Sequence, residues 1–457
     1  MRFPPALHHR RYRLLWIGLI ISVTGTRMQA AAVLWHVHEI NEAPIALGGV
    51  GAAKILPILL FSLVAGVAAD SFNRRRLMFV TQTSLALLAA LLGWLTSSGT
   101  VSLWSIYAIT ALSAGVSAFD MPARQALVPN LVERADLSNA FSLNSIAHEV
   151  GSVAGPALGG LIIAQTGVAN VYWFNAVSFG AVLIALVLMG SVAQESDVKP
   201  ERLAAARREP LGALARSAGE GMRFVLKHPV IFPTMLLDFL ATFFSSATAL
   251  LPIFARDILA VGAVGYGWLV AAPSIGAGAI AIGLALSGPI RRQGKVLLTA
   301  IAAFGLATIV FGLSRSFWLT FVALVVVGGS DGVSTIIRNT IRQLLTPDRL
   351  RGRMTSVNQM FFMGGPQLGE VEASLVAQAF GAPISVVSGG MGCLLALAWV
   401  SARNSRLRRY DGALEEIPSA ASERPPLAAS AEPGQTGRGL SSSFTNTDPG
   451  DQDWEQP

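Results

Sequence analysis

The chain has 457 residues, of which 52% are hydrophobic and only 13% are charged, and it contains 45 glycines. An average soluble domain has roughly a quarter charged residues, so this composition excludes a soluble globular protein and indicates a membrane protein. The net charge of +7 could suggest nucleic-acid binding, but a charge-poor chain lacks the solvated basic surface that such binding needs. A single cysteine, Cys393, excludes an intrachain disulfide framework and cysteine-based metal clusters.

A transmembrane helix needs about 20 predominantly apolar residues, and the chain contains twelve such stretches. We therefore predict an all-α membrane protein with twelve transmembrane helices in two six-helix halves. The first stretch follows a basic N-terminus but is too long for a signal-peptide core, and Arg27 lies inside it, so we expect it to be retained. The predicted spans are residues 14–38, 45–69, 77–96, 101–121, 140–164, 169–191, 230–255, 264–287, 295–313, 316–337, 355–380 and 383–402.

Basic residues between the spans fall in alternate loops, with only Arg256 and Arg315 on the opposite side. Because Lys and Arg near span ends favour the cytoplasm, we predict a multi-pass protein of the bacterial inner membrane with both termini in the cytoplasm. Polar segments then divide the chain, and the last one has the composition of a disordered region. The predicted parts are an N-terminal six-helix half (1–191), a central cytoplasmic loop (192–229), a C-terminal six-helix half (230–402) and a disordered cytoplasmic tail (403–457).

Two pairs of similar segments predict an internal duplication. RQALVP at 124–129, after the fourth span, resembles RQLLTP at 342–347, after the tenth span. GPALGG at 155–160 in the fifth span resembles GPQLGE at 365–370 in the eleventh span. Chance similarity between apolar helices could explain either pair alone. Two pairs in the same order and orientation favour parallel repeats.

The segment between the second and third spans, GVAADSFNRRR, contains Gly66, Asp70 and Arg74. Glycine allows helices to approach closely, and the aspartate can accept hydrogen bonds from a helix N-terminus or pair with an arginine. The simpler interpretation is a basic loop with an ordinary helix N-cap. The segment resembles the loop signature of the major facilitator superfamily, G-x-x-x-D-R/K-x-G-x-R/K-R/K, although Ser71 and Asn73 depart from it. In that family the loop takes part in an inter-helix latch that governs conformational switching.

The fifth span contains a stripe of small residues, which in membrane helices most often serves packing. The string GSVAGPALGG also resembles the antiporter motif of the superfamily, G-x3-G-P-x2-G-G, except that Ser142 stands where an upstream glycine is expected. With residues 118–132, it resembles the branch that contains the enterobactin exporter and macrolide efflux proteins. The resemblance implies the superfamily fold and an export role. The motif positions are Gly151, Gly155, Pro156, Gly159 and Gly160.

Polar residues inside spans usually face a bundle interior or an aqueous cavity. At 100° per residue, they fall on one face of the first, fourth, seventh and tenth spans. In the resembled family these four spans line the central cavity, so we predict that the polar stripes line a substrate pathway. Arg27 and His38 favour an anionic substrate. The predicted cavity residues are Thr24, Arg27, His38, Ser113, Ser117, Asp120, Asp238, Thr242, Ser245, Asp331 and Thr335.

Three acidic residues inside spans, Asp238, Glu370 and Glu149, are candidates for proton coupling. Glu370 stands where the repeat has Gly160 in the first copy, so the second copy carries a carboxylate where the first has packing space. For each acid the simpler interpretation is a structural pair with an arginine on a neighbouring span. The functional interpretation is a carrier that binds a proton on one side of the membrane and releases it on the other.

Motifs for other chemistry are incomplete. His148 and Glu149 begin an HExxH motif, but Ser152 replaces its second histidine. The segment GPIRRQGK at 288–295 lacks the spacing of a P-loop, so no ATP site is expected. Ser330 has no partner histidine in its span, which argues against an intramembrane hydrolase. We therefore expect no metal and no cofactor, with the proton gradient as the energy source.

The leading hypothesis is a secondary active transporter rather than an enzyme. It would export amphipathic siderophore-like or drug-like molecules by alternating access, with proton antiport as the driving reaction. Its expected partners are the small-molecule substrate and the lipid bilayer, with no nucleic acid, and the chain is expected to act as a monomer. Two alternatives stay open. One is an importer or facilitator of a polar or anionic metabolite, and the other is an intramembrane enzyme or sensor.

Overall fold

The computed structural model describes residues 4–71, 73–190, 222–287, 290–347 and 350–411, and these belong to one compact unit. Within them there are twelve long helices, with short connections inside each group of six. The helices are α1 (Arg10–Ile40), α2 (Pro44–Ser71), α3 (Arg74–Ser97), α4 (Leu103–Leu127), α5 (Leu137–Thr166), α6 (Val168–Leu188), α7 (Ile231–Ser245), α8 (Gly262–Ser287), α9 (Gln293–Leu313), α10 (Phe317–Leu345), α11 (Arg351–Phe380) and α12 (Ala382–Arg403). Short helical turns prolong α7 as far as Ile258.

Each of the twelve helices overlaps one predicted span. Of the helices in the described ranges, ten are long and apolar enough to cross a membrane, and α2 has a shorter apolar stretch at Pro44–Ile58. Helix α10 continues eight residues past the predicted end at 337, to Leu345. The hydropathy signal stops at the first arginines, whereas the helical backbone continues to satisfy its own hydrogen bonds past them. This extension places Arg338 and Arg342 inside the helix.

Several helix ends follow directly from local sequence. Ser102 and Ser105 form a capping box at the start of α4, in which each hydroxyl accepts a hydrogen bond from the other residue's backbone N–H. Gly167 joins α5 to α6 with φ of 88°, and Gly381 joins α11 to α12 with φ of 91°. Glycine adopts this backbone region without the steric cost that other residues meet. The two glycines occupy equivalent junctions, which supports the predicted repeat.

Helix packing repeats in the two halves. In the first half α1 packs against α5 and α6, and α4 packs against α2 and α3. In the second half α7 packs against α11 and α12, and α10 packs against α8 and α9. We call the face that carries the α2–α3, α4–α5, α8–α9 and α10–α11 connections the basic face, and the opposite face the distal face. The halves meet where α2 packs against α11 and where α5 packs against α8.

Buried apolar side chains form one shared core near the distal face and two separate cores near the basic face. The shared core includes Trp35 and Tyr172 of the first half and Phe254, Tyr266 and Phe311 of the second. Near the basic face, the first half has its own core, which includes Tyr12, Leu127 and Leu186, and the second half has another, which includes Leu297, Ile341 and Leu407. The bundle is therefore closed at the distal face and divided at the basic face.

The described part of the predicted tail differs from the expectation of disorder. Residues Ser405–Arg409 form a short helix, α13, and Leu407 is fully buried in the core of the second half. The Gly294 N–H donates a hydrogen bond to the Tyr410 carbonyl at 2.9 Å, and the Arg292 N–H donates one to Asp411 at 2.7 Å. A buried apolar residue, one backbone hydrogen bond and one hydrogen bond to the Asp411 side chain thus fold this segment onto the start of α9. Residues 412–457 and the central-loop residues 192–221 lie outside the described ranges.

Candidate transport site

The α5 glycines divide between two partners. The glycines at every fourth position face α1, where a Cβ at Gly151 would lie 2.6 Å from Val23 Cγ1 and a Cβ at Gly155 would lie 2.7 Å from Arg27 Cβ. Gly159 faces the same helix, and a Cβ at this position would lie 2.9 Å from Met28 Cγ. Such distances are shorter than real Cβ contacts, so this stripe brings α5 and α1 together as the packing interpretation predicts.

The rest of the motif faces the other half. Gly160 of α5 lies against the Ala263 carbonyl and the Gly267 backbone of α8, and Gly267 lies against the Pro156 carbonyl. A side chain at Gly160 or Gly267 would therefore push the halves apart. We call this contact the α5–α8 seam. The antiporter-like motif thus packs α5 against α1 of its own half through one face. Through the adjacent face, it packs α5 against α8 of the other half.

His38 does not line a cavity with the other residues of its stripe. Its side chain is 1% exposed, and Nε2 lies 3.1 Å from Asp257 Oδ2 of the second half, at the distal face. His38 follows Thr24 by fourteen residues, which is about 21 Å along a helix. Periodicity identified the correct face of α1 but carried no information on depth, so this prediction of a cavity residue is corrected.

The second half contains a buried ion pair between α7 and α10. Asp238 and Arg338 are 8% and 5% exposed, and the Arg338 guanidinium contacts the Asp238 carboxylate directly. Arg338 also donates a hydrogen bond to Thr335 Oγ1 at 2.8 Å and one to the Ser334 carbonyl at 3.2 Å. Asp331 Oδ1 lies 3.7 Å from the same guanidinium, with a side chain that is 48% exposed. One arginine therefore holds two predicted acids together.

A cavity of about 200 Å³ adjoins this pair on the side of the basic face. Most of its polar wall can donate hydrogen bonds, and Asp238 supplies a carboxylate to it. Thr242 and Ser245, also predicted for the cavity, lie further along α7: Thr242 donates a hydrogen bond to the Asp238 carbonyl at 2.8 Å, and Ser245 is buried. The cavity is lined by Met235, Asp238, Thr335, Arg338, Asn339, Arg342 and Asn358.

Asp120 in the first half is not a free cavity carboxylate. It is 5% exposed, and its Oδ1 accepts hydrogen bonds from Thr81 Oγ1 and Gln82 Nε2, both at 2.8 Å. Its Oδ2 accepts a hydrogen bond from Arg124, one turn along α4. Because both carboxylate oxygens are engaged, Asp120 fastens α4 to α3, and its prediction as a substrate-pathway residue is corrected.

The remaining predicted residues of the first half are more accessible. Arg27, Glu149 and Ser117 are exposed, and Thr24 and Ser113 are half-buried. The charge of Glu149 on α5 acts on Arg27 of α1. Thr24 uses its hydroxyl within its own helix, where it donates a hydrogen bond to the Ile20 carbonyl at 2.8 Å. Arg27 and Glu149 therefore place opposite charges on two packed helices of the first half, α1 and α5.

Glu370 lies in the second contact between the halves, which we call the α2–α11 seam. A Cβ at Gly51 of α2 would lie 2.9 Å from Glu370 Oε2, so the carboxyl group fills the space that this glycine leaves. Glu370 Oε2 is buried and has no hydrogen-bond partner among the described residues. The repeat correctly indicated a carboxylate in place of packing space, and the structure shows that the other half surrounds it.

The loop motif is only partly visible. Gly66 and Asp70 lie near the end of α2, but their side chains fall outside the described residues. Arg74 donates hydrogen bonds to the Ala126 carbonyl at 3.3 Å and to Asn130 Oδ1 at 3.1 Å. Asn73 caps α3 by accepting a hydrogen bond from the Arg76 N–H at 3.0 Å. The motif arginine thus ties the start of α3 to the end of α4.

The set predicted from sequence omits two charged residues that the structure places at these sites. Arg338 directly follows the predicted tenth span, which ends at residue 337, and continues the polar face of Asp331 and Thr335. Lys54 lies within the apolar sequence of α2, and its charge acts on Glu370. A lone lysine inside a predicted span is a recognisable signal, because such residues are rare unless they have a partner. Among the described residues, no group of three or more His, Cys, Asp and Glu side chains is arranged to hold a metal ion.

Comparisons with known proteins agree with this architecture. A family model described as transmembrane secretion effector matches residues 3–439. The multidrug efflux pump Tap of Mycolicibacterium fortuitum is 28% identical over 410 residues, covering 87% of this chain and 96% of its own. The enterobactin exporter EntS of Escherichia coli O1:K1 / APEC is 27% identical over 359 residues, covering 76% of this chain and 81% of its own.

The fold is shared with solved transporters. The structure of a bacterial homolog of the human lysosomal transporter Spinster, in an inward-facing and occupied conformation, matches with a TM-score of 0.66 at 16% identity. The match covers 88% of this chain and 98% of that one. The predicted fold, with twelve transmembrane helices in two six-helix halves, is therefore confirmed. The chain is a multi-pass membrane protein that belongs to the transmembrane secretion effector family of the major facilitator superfamily.

Proposed function

We propose that this transporter exports amphipathic small molecules, siderophore-like or drug-like, in exchange for protons. The observation that carries the proposal is the buried Asp238–Arg338 pair beside a cavity on the side of the basic face. Relatives named as efflux pumps and exporters support the direction of transport. The distribution of arginines supports an inner-membrane protein whose basic face and termini lie in the cytoplasm.

Alternating access follows from the way in which the halves meet. The shared core and both seams lie toward the distal face, and the separate cores lie toward the basic face. Rocking of the halves about a midplane site would separate the shared core and the seams at the distal face. The same movement would bring the two separate cores together at the basic face. The structure then corresponds to the state that receives substrate from the cytoplasm. The chain needs no cofactor in this scheme beyond the proton gradient, and a monomer contains the complete pathway.

Antiport requires that substrate and proton exclude each other. Arg338 stabilises the ionised Asp238 carboxylate when the site is empty, because the two charges are in direct contact in a buried setting. A cationic or hydrogen-bond-donating group of the substrate can replace Arg338 as the partner of Asp238. A proton that reaches Asp238 from the distal face removes the negative charge and so releases the substrate. Glu370 and Glu149 are further candidates for this proton, Glu370 because it is buried between the halves.

Transport by inverted membrane vesicles tests the proposal. The substrate is first found by growth protection of cells that express the protein, screened against antibiotics, siderophores and biocides. Uptake of that compound into inverted vesicles should then follow an imposed proton gradient and stop when the gradient is collapsed. Asp238→Asn should remove the dependence on the gradient, whereas Asp136→Asn, which changes a surface partner of His9, should not. Transport that ignores the gradient in the unmodified protein would refute proton coupling.

The same vesicles separate export from uptake. An importer or facilitator of an anionic metabolite, which Arg27 and the cavity arginines Arg338 and Arg342 would also suit, would equilibrate its substrate or move it together with protons. An intramembrane enzyme would convert the compound, which chromatography of the vesicle contents would show. Export predicts accumulation of unchanged compound against its gradient.

A further inference from the structure

The two seams between the halves differ in chemistry. In the α5–α8 seam, Gly160 and Gly267 bring two backbones together, and the nearest atoms across the contact belong to the backbone. In the α2–α11 seam, Gly51 of one half instead makes room for the carboxyl group of Glu370 of the other. Close packing of small residues explains the first seam completely. It does not explain an acidic side chain in the second.

Helix α11 presents a stripe of polar atoms to this seam. Gln367 Oε1, Glu370 Oε2 and Ser374 Oγ are all buried without a hydrogen-bond partner among the described residues. Their spacing of three and four residues places them on one helical face. That face meets α2, because a Cβ at Gly48 would lie 2.8 Å from Ser374 Cβ and a Cβ at Gly51 would lie 3.1 Å from the Gln367 carbonyl oxygen.

Buried polar atoms without partners are uncommon and raise the free energy of the state that contains them. Here they are confined to a contact between two bodies that must separate during alternating access. Separation would expose the stripe to water from the distal face and satisfy all three atoms. The stripe therefore makes closure of this seam depend on the chemical state of its one titratable member, Glu370.

Charges from the surrounding helices act on Glu370 unequally. Lys54 lies on α2, one turn from Gly51, so its positive charge is on the face of α2 that meets Glu370. Helices α7 and α12 and the helical turn at 247–250 also pack against α11. Ser385 of α12 contacts the α11 backbone instead, by donating a hydrogen bond to the Ala373 carbonyl at 2.7 Å. The other acidic groups on these helices are Asp238 of α7, which is held by Arg338, and Glu372 of α11, which lies on the opposite side of its helix.

Two opposing effects therefore meet at Glu370. Burial without a hydrogen-bond donor for Oε2 favours the neutral carboxylic acid over the carboxylate. The ammonium of Lys54 favours the carboxylate. A closed seam is thus compatible with a bound proton, and the lysine of the opposite half provides a force that expels the proton while the seam stays closed.

We propose that the α2–α11 seam contains a proton-binding site at Glu370 and that Lys54 is the positioning residue that promotes release of this proton. Opening at the distal face hydrates Glu370 and lets it take up a proton from outside. Neutralisation then favours closure, and Lys54 favours dissociation in the closed, cytoplasm-facing state. The proposal rests on the proton coupling proposed above and adds a residue that no motif of the chain contains.

Spin labels across the seam test this inference without any substrate. The Ile45 N–H lies 3.4 Å from Gln378 Oε1 at the distal end of the seam, so Ile45→Cys and Gln378→Cys, in a Cys393→Ala background, report its opening. Electron–electron distances would be measured in lipid nanodiscs over a series of pH values. The closed population should grow as the pH falls. With Glu370→Gln, the seam should be closed at every pH. With Glu372→Gln, the matched control, the closed population should depend on pH as it does in the parent protein.

The lysine variants separate charge from packing. Lys54→Met should move the midpoint of closure to higher pH by about one unit or more, because an opposite charge at close range has an effect of this size. Lys54→Arg should restore the parent midpoint. If Lys54→Met does not insert, the double variant Lys54→Met/Glu370→Gln, which leaves no unpaired charge, should insert and should remain closed at every pH.

Three results would overturn the inference. They are a Glu370→Gln protein that titrates like its parent, a Lys54→Met protein with an unchanged midpoint, and a Glu372→Gln protein that has lost the titration. Any of them could occur while inverted vesicles still show proton-driven export that depends on Asp238. In that case the proposed function stands and the seam site falls. Loss of gradient dependence in the unmodified protein would instead refute the function itself.

Discussion

Asp120 and Arg338 occupy equivalent positions in the two halves, four residues before the repeated arginines Arg124 and Arg342. In the first half the position carries an acid whose two oxygens are both engaged by α3 and α4. In the second half it carries an arginine that contacts two acids and faces a cavity. The same helix geometry therefore supports a closed hydrogen-bonded network in one half and a buried ion pair beside a cavity in the other.

The difference shows what makes an intramembrane charge available for transport. A carboxylate with fixed donors on its own half gains nothing when substrate or proton arrives, since each donor would lose its partner. Asp238 depends mainly on one arginine beside a cavity, so a competing group can replace that partner. We expect substitutions in the second half to change coupling and substitutions in the first half to change stability.

The largest effect is expected for Asp238→Asn. The amide cannot ionise, so it can neither carry a proton nor attract a donor group of the substrate. Proton-driven accumulation in inverted vesicles should fall to the level of vesicles without the protein, while the purified protein still elutes as a folded species in detergent. Gradient-driven transport by this variant at the parent rate would contradict the role of the pair.

Asp120→Asn should have the next largest effect, but on a different quantity. An amide keeps the size of the side chain and loses the charge that holds Arg124, so the free energy of unfolding should fall by about 1–3 kcal/mol. Thermal unfolding in detergent measures this loss. Transport per folded molecule should keep its dependence on the proton gradient. If Asp120→Asn were as stable as the parent protein but had lost proton coupling, the first half would serve coupling, which contradicts the account.

Thr335→Val tests how tightly Arg338 is positioned. The change preserves shape and removes the hydroxyl that accepts a hydrogen bond from Arg338 at 2.8 Å, which is worth about 1 kcal/mol. The substrate concentration for half-maximal transport should change by roughly fivefold, the equivalent of that energy. Thr340→Val, at an exposed hydroxyl that bonds only within its own helix, is the matched control and should leave transport unchanged.

Asp331→Asn should have the smallest effect of the series. Its carboxylate lies 3.7 Å from Arg338 and is 48% exposed, and exposed pairs of this kind contribute about 0–1 kcal/mol. Proton-coupled transport should therefore persist. If this variant lost coupling and Asp238→Asn retained it, the exchangeable acid would be Asp331 and the assignment within the pair would change.

The sequence was sufficient for the number and order of the helices, because hydropathy reports burial in lipid directly. It also offered Asp238, Thr335 and Glu370 as candidates, because they lie on polar stripes or break the repeat. It could not distinguish Asp120 from Asp238, since both are acids on a polar helical face. Their difference depends on Thr81 and Gln82 of a neighbouring helix, and periodicity along one helix contains no information on such partners.

The other differences between prediction and structure arise because the sequence does not show how deep a residue lies in the bundle or where a helix ends. His38 shares a face with Thr24 but lies at the distal end of α1, where it meets Asp257 of the other half. Arg338 follows the apolar part of α10, although the helix continues past it. Lys54 required knowledge of which helix faces α2. The relations of His38 and Lys54 join residues that are remote in sequence, so only the packed structure could reveal them.

Proton movement in inverted vesicles, followed with a pH-sensitive dye, tests the central claim most directly. With a preformed gradient acid inside, addition of the compound found by growth protection should release protons from vesicles that contain the parent protein or Asp120→Asn, corrected for the amount of folded protein. Vesicles with Asp238→Asn should release none. Substrate-induced proton release by Asp238→Asn together with its absence in folded Asp120→Asn would contradict the division of roles between the two halves.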